Sequence, residues 1–171
     1  MAVPIPTNLA DILTSLQARL MDVLGWPEER VIIDMRDDHD ADTITSQAEQ
    51  YVRLKAGPRN PLGADVEARG RIQPRMSAQI SVRLRTRVNL DKAQSDVTAL
   101  TDASRGHLRV EAGVWDALLN FQPVDGDSNW LVSETVKPRL ATAPQKPPAG
   151  WAQTTINFDV TFIMDLDQSY Q

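Results

Sequence analysis

The chain has 171 residues and no cysteine, which excludes disulfides, thiolate metal sites and cysteine nucleophiles. Histidine occurs only twice, at His39 and His107. Nucleophilic catalysis needs a base beside the nucleophile and a third group to orient that base. With two histidines and no Gly-x-Ser-x-Gly elbow, no triad can be assembled on paper. Neither Gly-x-Gly-x-x-Gly nor a Walker A pattern occurs, so glycine-rich phosphate cradles are missing as well. No apolar run approaches the roughly 20 residues that cross a bilayer, and the run from Met1 to Pro6 lacks the basic and apolar regions of a signal peptide. Positive charge is also in short supply. Eighteen Lys and Arg stand against 23 Asp and Glu, for a net charge of −5, which argues against a broad surface for gripping nucleic acid.

What is present suits one ordinary globular domain. Hydrophobic residues make up 42% and charged ones 24%, enough for a real core at this length. The expected organisation is a single domain over 1–171 with long loops at 36–50, 57–74 and 138–150. The eleven prolines mark those loops.

Leu9, Ile12, Leu13, Leu16, Leu20 and Leu24 recur at steps of three and four, the signature of an amphipathic helix. Thr7 and Asn8 are competent N-caps, and Gly25 with Pro27 ends the stripe. Val31–Met35 reads as a short strand, and 51–56 as another, with Val52 and Leu54 on one side and Arg53 and Lys55 on the other. The clearest strand is 75–90. Met76, Ala78, Ile80, Val82, Leu84, Val88 and Leu90 take even positions and polar residues the odd ones, with only Thr86 breaking the apolar side. Leu108, Ala112, Trp115 and Leu119 suggest a second helix, ended by Pro123. Trp130–Val136 reads as a strand. Residues 154–166 alternate again, with Ile156, Phe158, Val160, Phe162, Met164 and Leu166 facing one way.

The expected fold class is therefore α+β. It is a two-layer sandwich, with a mixed, mainly antiparallel sheet of about five strands and two main helices on one face.

Chemistry is harder to find. Asp37, Asp38, His39, Asp40 and Asp42 form an acidic cluster, but it lacks the glycine and terminal glutamate of a calcium loop. It reads as a solvated turn, and His107 as a surface or boundary residue rather than a base. No catalytic residue, no metal ligand and no cofactor is assigned, and the chain is not expected to be an enzyme. Arg83, Arg85 and Arg87 are more informative, because on a strand they project from one face as a cationic ladder. The ladder either pairs across the sheet with acids such as Asp159 and Asp165 or meets an acidic partner or lines a channel. Trp26 and Trp151 border loops and are candidate interface anchors.

The order of these features carries a resemblance. A Leu-rich helix is followed by a strand ending Asp34-Met-Arg36, then by a long strand ending Arg-Leu-Arg-Thr-Arg-Val over 83–88. Next come Asp91, a helix holding Ala-Gly-Val-Trp-Asp-Ala-Leu over 112–118, a Pro-rich loop, Trp151 and a last strand finishing Val-Thr-Phe-Ile-Met-Asp-Leu-Asp over 160–167. This pattern resembles the tail terminator proteins of long-tailed bacteriophages and the related neck and tail-completion subunits. The resemblance implies a virion subunit, assembled in the host cytoplasm, that forms a homo-oligomeric, hexameric ring. Such a ring caps the tail tube, contacts the tail-tube protein and a neck or head-completion protein, and passes DNA through its lumen without reading sequence. No membrane partner is implied. Within the same class the alternatives are a head-completion or neck adaptor and a tail-tube-like subunit. From another class the alternative is a small-ligand-binding module, which would need a closed pocket with convergent polar groups.

Overall fold

The computed structural model describes residues 4–34, 49–63, 66–68, 70–87, 100–103, 106–142 and 151–166. Helix α1 (Leu9–Leu24) starts where the Asn8 side chain accepts the Asp11 amide at 2.8 Å. It stops at Gly25, whose φ of 63° lets the Gly25 and Trp26 amides reach back to Asp22 and Met21. A short 3-10 turn (Glu28–Arg30) leads into β1 (Val31–Ile33). Then come β2 (Gln50–Pro61), β3 (Val66–Ala68), β4 (Arg71–Gln73) and β5 (Arg75–Arg87). Helix α2 (His107–Leu118), β6 (Lys137–Ala141) and β7 (Trp151–Ile163) complete the order.

Five strands make one sheet in the order β1-β2-β5-β7-β6. Only β1 and β2 run parallel; the other pairs are antiparallel. The fold is the mixed, mainly antiparallel two-layer α+β sandwich that the periodicities imply. Even-numbered residues of β5 and β7, from Ala78 to Leu84 and from Ile156 to Phe162, are buried with Val52, Leu54 and the α1 stripe in one core. Complete burial of each such side chain is worth roughly 1.5–3 kcal/mol. Strands β5 and β7 stay in register over their whole length, from Arg75 opposite Ile163 to Arg87 opposite Trp151. At about 3.3 Å per residue they run nearly 40 Å.

Five expectations change. The stretch 57–74 is not a loop throughout: β2 runs on to Pro61, and β3 and β4 form a separate two-stranded hairpin. Pro58 is accommodated in a bulge, where the register skips from Ala56 to Arg59 and no ladder amide is required. Residues 131–134 are bends rather than a strand, although Leu131, Val132 and Val136 are buried. The buried stripe of α2 is His107, Val110, Val114, Ala117 and Leu118, so Leu108 and Leu119 lie exposed. The fourth change is His107 itself, expected at a surface or boundary and found fully buried. The fifth is the loop expected at 138–150, which begins inside β6; of the loop expected at 36–50, Gln50 already belongs to β2, while 36–48, with the acidic cluster at 37–42, lies outside the described residues.

His107 explains the one polar break on the apolar side of β5. Its Nδ1 lies 2.8 Å from Thr86 Oγ1 and its Nε2 lies 2.8 Å from Thr154 Oγ1. The Thr154 hydroxyl donates to the Glu111 carboxylate at 3.1 Å, so Thr154 Oγ1 must accept from Nε2–H. Nδ1 then accepts from the Thr86 hydroxyl, which in turn accepts from Gln50 Nε2 at 3.4 Å. The chain of donors runs one way and satisfies every member. Burial pushes the His107 pKa down to about 4, so the ring is neutral near pH 7.

The turn into α2 is tight. A Cβ on Gly106 would lie 2.6 Å from both the amide nitrogen and the carbonyl oxygen of Asp102. These are backbone atoms and cannot swing aside. Replacing Gly106 by alanine is expected to cost about 2–3 kcal/mol through overpacking, read as a lowered urea midpoint with an unchanged slope.

Candidate functional site

The helices cover one face of the sheet. The other is built from odd-numbered residues, and the register sorts them into rows about 6.7 Å apart. Arg87 lies opposite Trp151, and its amide donates to the Glu49 carbonyl at 2.7 Å. The next row is Tyr51, Arg85 and Gln153, followed by Arg53, Arg83 and Thr155, then Lys55, Ser81 and Asn157. Five basic side chains therefore share one face of a chain whose net charge is −5.

Neutral acceptors hold Arg85 on this face. Arg85 Nε donates to Gln153 Oε1 at 2.7 Å and its Nη1 to the Tyr51 hydroxyl at 3.1 Å. Tyr51 meets the Trp151 ring edge-on at 5.4 Å between centroids, a favoured aromatic geometry. Ser81 donates to Asn157 at 2.7 Å. Arg53 and Arg83 are direct cross-strand neighbours, a pairing of like charges that is unfavourable by itself. Asp34, at the end of β1, offsets it with an ion pair to Arg53 at 3.4 Å. That pair is buried, with side-chain exposures of 6% for Arg53 and 11% for Asp34. A cavity of about 260 Å³ opens beside it, lined among others by Asp34, Arg53, Lys55, Ser81, Arg83 and Thr155.

The expected pairing of the ladder with Asp159 and Asp165 is not what the register gives. Asp159 lies opposite Gln79 and Lys137, and its ion pair is with Arg139 at 3.7 Å. Asp165 follows the end of β7, where its amide bonds to the Thr7 carbonyl. The physical reason is position along the strands: both acids sit toward the end of β7 that lies opposite the start of β5, away from the arginines.

The five sequence-derived candidates divide between two places. Arg83, Arg85, Arg87 and Trp151 lie together on the polar face. Trp26 lies elsewhere, on a cleft of about 870 Å³ beside Leu24, Gly25, Val110 and Gly113. There the Arg30 guanidinium stacks 3.8 Å above its ring and donates to the Gln50 carbonyl. Burial lowers the Arg30 pKa, an effect that Glu49 opposes. Asp34, Tyr51 and Gln153 were missed as members of the face. The alternation of 51–56 set Arg53 and Lys55 on one side, but only the pairing register joins them to the ladder. Among the described residues no cluster of three or more His, Cys, Asp or Glu could hold a metal ion, and no helix is long and apolar enough to cross a membrane.

No family model and no curated protein matches this sequence. Solved structures do match its fold. One is a chain in the virion of a native gene transfer agent particle, with a TM-score of 0.50 and 16% sequence identity. The similarity covers 89% of this chain and 94% of that chain, so the likeness is one of fold across nearly the whole of both.

Proposed function

We propose that this chain is a structural virion subunit of the tail terminator type, non-enzymatic, working as a homo-oligomeric, hexameric ring. In this reading the ring caps the head-proximal end of the tail tube, seats the neck or head-completion protein, and lets DNA pass through its lumen. The observation that carries the proposal is the fold match, which spans both chains almost end to end with a partner that is itself part of a virion.

The polar face supports the reading. Five basic side chains gathered on one face, with Arg85 held by the neutral Gln153 and Tyr51, suit weak, sequence-independent contact with a passing polyanion. We place Arg83, Arg85 and Arg87 on the lumen side on that basis, with Trp151 beside them and Trp26 at a subunit or partner contact. Ring formation requires two different, complementary patches on each subunit.

Negative-stain microscopy of the concentrated protein, alone and with tail-tube subunits, tests the proposal. Annular particles with a central hole, and tubes ending in such a ring, are the expected images. Isolated particles the size of one subunit under both conditions would refute it.

A further inference from the structure

The hairpin formed by β3 and β4 is anchored at its base by the buried Gln73 and has little else of its own to hold it. Each of its strands is three residues long, and apart from the buried Gln73 at the end of β4 they pack little against other described elements. A lone two-stranded hairpin is marginal in water at best. Yet it carries Ile72 at 69% exposure, with Leu62 at 47% exposure where the chain leaves β2. Large apolar side chains left exposed on and beside this hairpin mark a surface that is covered in the working state.

Charge points to the covering partner. The segment 57–75 holds four arginines (Arg59, Arg69, Arg71 and Arg75) against Asp65 and Glu67, a net charge of +2 on a chain whose total is −5. The same chain offers an acidic, apolar counterpart at the opposite side of β2. Around β1, a cavity of about 370 Å³ is lined by Gln17, Glu28, Glu29, Ile32 and Ile33. Arg59, Glu28 and Glu29 are exposed and make no ion pair among the described residues. At Val31 the β1 edge is already occupied, which disfavours strand addition there. Gln17 Nε2 donates to the Val31 carbonyl at 2.6 Å, and the Val31 amide bonds to Glu28. Contact there must be made by side chains.

We infer that the β3–β4 arm of one copy docks on the β1 flank of a second copy, with Ile72 and Leu62 over Ile32 and Ile33 and Arg59 facing Glu28 and Glu29. Two different patches of one chain then meet head to tail, the geometry that closes into a ring. This inference rests on the ring proposed above and names its subunit contact.

The lack of cysteine makes the test clean. Ile72→Cys and Glu29→Cys are purified separately in reductant, mixed and oxidised, while Ile72→Asp is assembled without cross-linking. Circular dichroism melts confirm that the variants fold, as expected for exposed positions. The mixture should give a disulfide-linked pair that neither variant gives alone. Ile72→Asp should self-associate at least tenfold more weakly, and Glu29→Arg combined with Arg59→Glu should recover part of what each change loses alone. Normal rings from Ile72→Asp with no cross-link would overturn the arm contact and leave the ring intact. Normal rings that no longer seat on tail tubes would assign the arm to a different protein, which overturns it too. Wild-type protein that never assembles would bring down the arm contact and the ring together.

Discussion

Replacing Asp34 by alanine is expected to destabilise the fold by about 3–5 kcal/mol, the usual cost of stripping one partner from a buried ion pair. Asp34 and Arg53 are 3.4 Å apart and nearly inaccessible. Arg53 stands directly across from Arg83, and its Nε has no hydrogen-bond partner among the described residues. Without the carboxylate, the buried Arg53 guanidinium would lose its ion pair while still standing across from a second guanidinium. Asp34→Leu with Arg53→Met should be much less harmful than Asp34→Ala alone, because removing both charges also removes their desolvation cost. Chemical denaturation of the two variants measures the difference. Equal stability of Asp34→Ala and the wild type would show that the pair is solvated and that the polar face is looser than its geometry implies.

Acid should unfold this protein through His107 before most carboxylates matter. The ring has an ordinary pKa of 6.5 when unfolded and about 4 in the fold, so the unfolded state binds the extra proton first. The stability contributed by the neutral ring is complete above about pH 6.5 and is lost as the pH falls from there toward 4. A tenfold difference in proton affinity between the two states is worth about 1.4 kcal/mol, which makes the full loss on the order of 3 kcal/mol. Protonation would also break the donor chain, since Nδ1 accepts from Thr86 and cannot do so once it carries a proton. Stability of the wild type against His107→Gln, measured across pH 4–7, isolates the effect. The variant should be less stable near neutrality and should show a flatter slope in that window. Parallel curves would mean that His107 does not titrate differently in the two states.

The helical stripe of α1 and the alternation of β5 and β7 were legible because each buries one face only, and a single-sided burial prints its period on the sequence. The arm at 57–74 was not. Pro58, Pro61, Gly63 and Gly70 signal a loop, and nothing local reveals that a bulge and a turn can host them within paired strands. The phase of α2 was misread because the residue that anchors it is a histidine, whose burial depends on Thr86 and Thr154 from two distant strands. The arginine ladder was visible by parity alone. Its actual neighbours, Tyr51, Gln153, Arg53 and Asp34, are set by the register between strands, a long-range property that no short window contains.

Native mass spectrometry over a range of concentrations tests the central claim, that this chain acts by closing on copies of itself. The expected spectrum shows one dominant closed assembly of six 19.0-kDa subunits, alone or once tail-tube protein is added, with few species in between. A 19.0-kDa monomer persisting at every concentration and with every partner would contradict it.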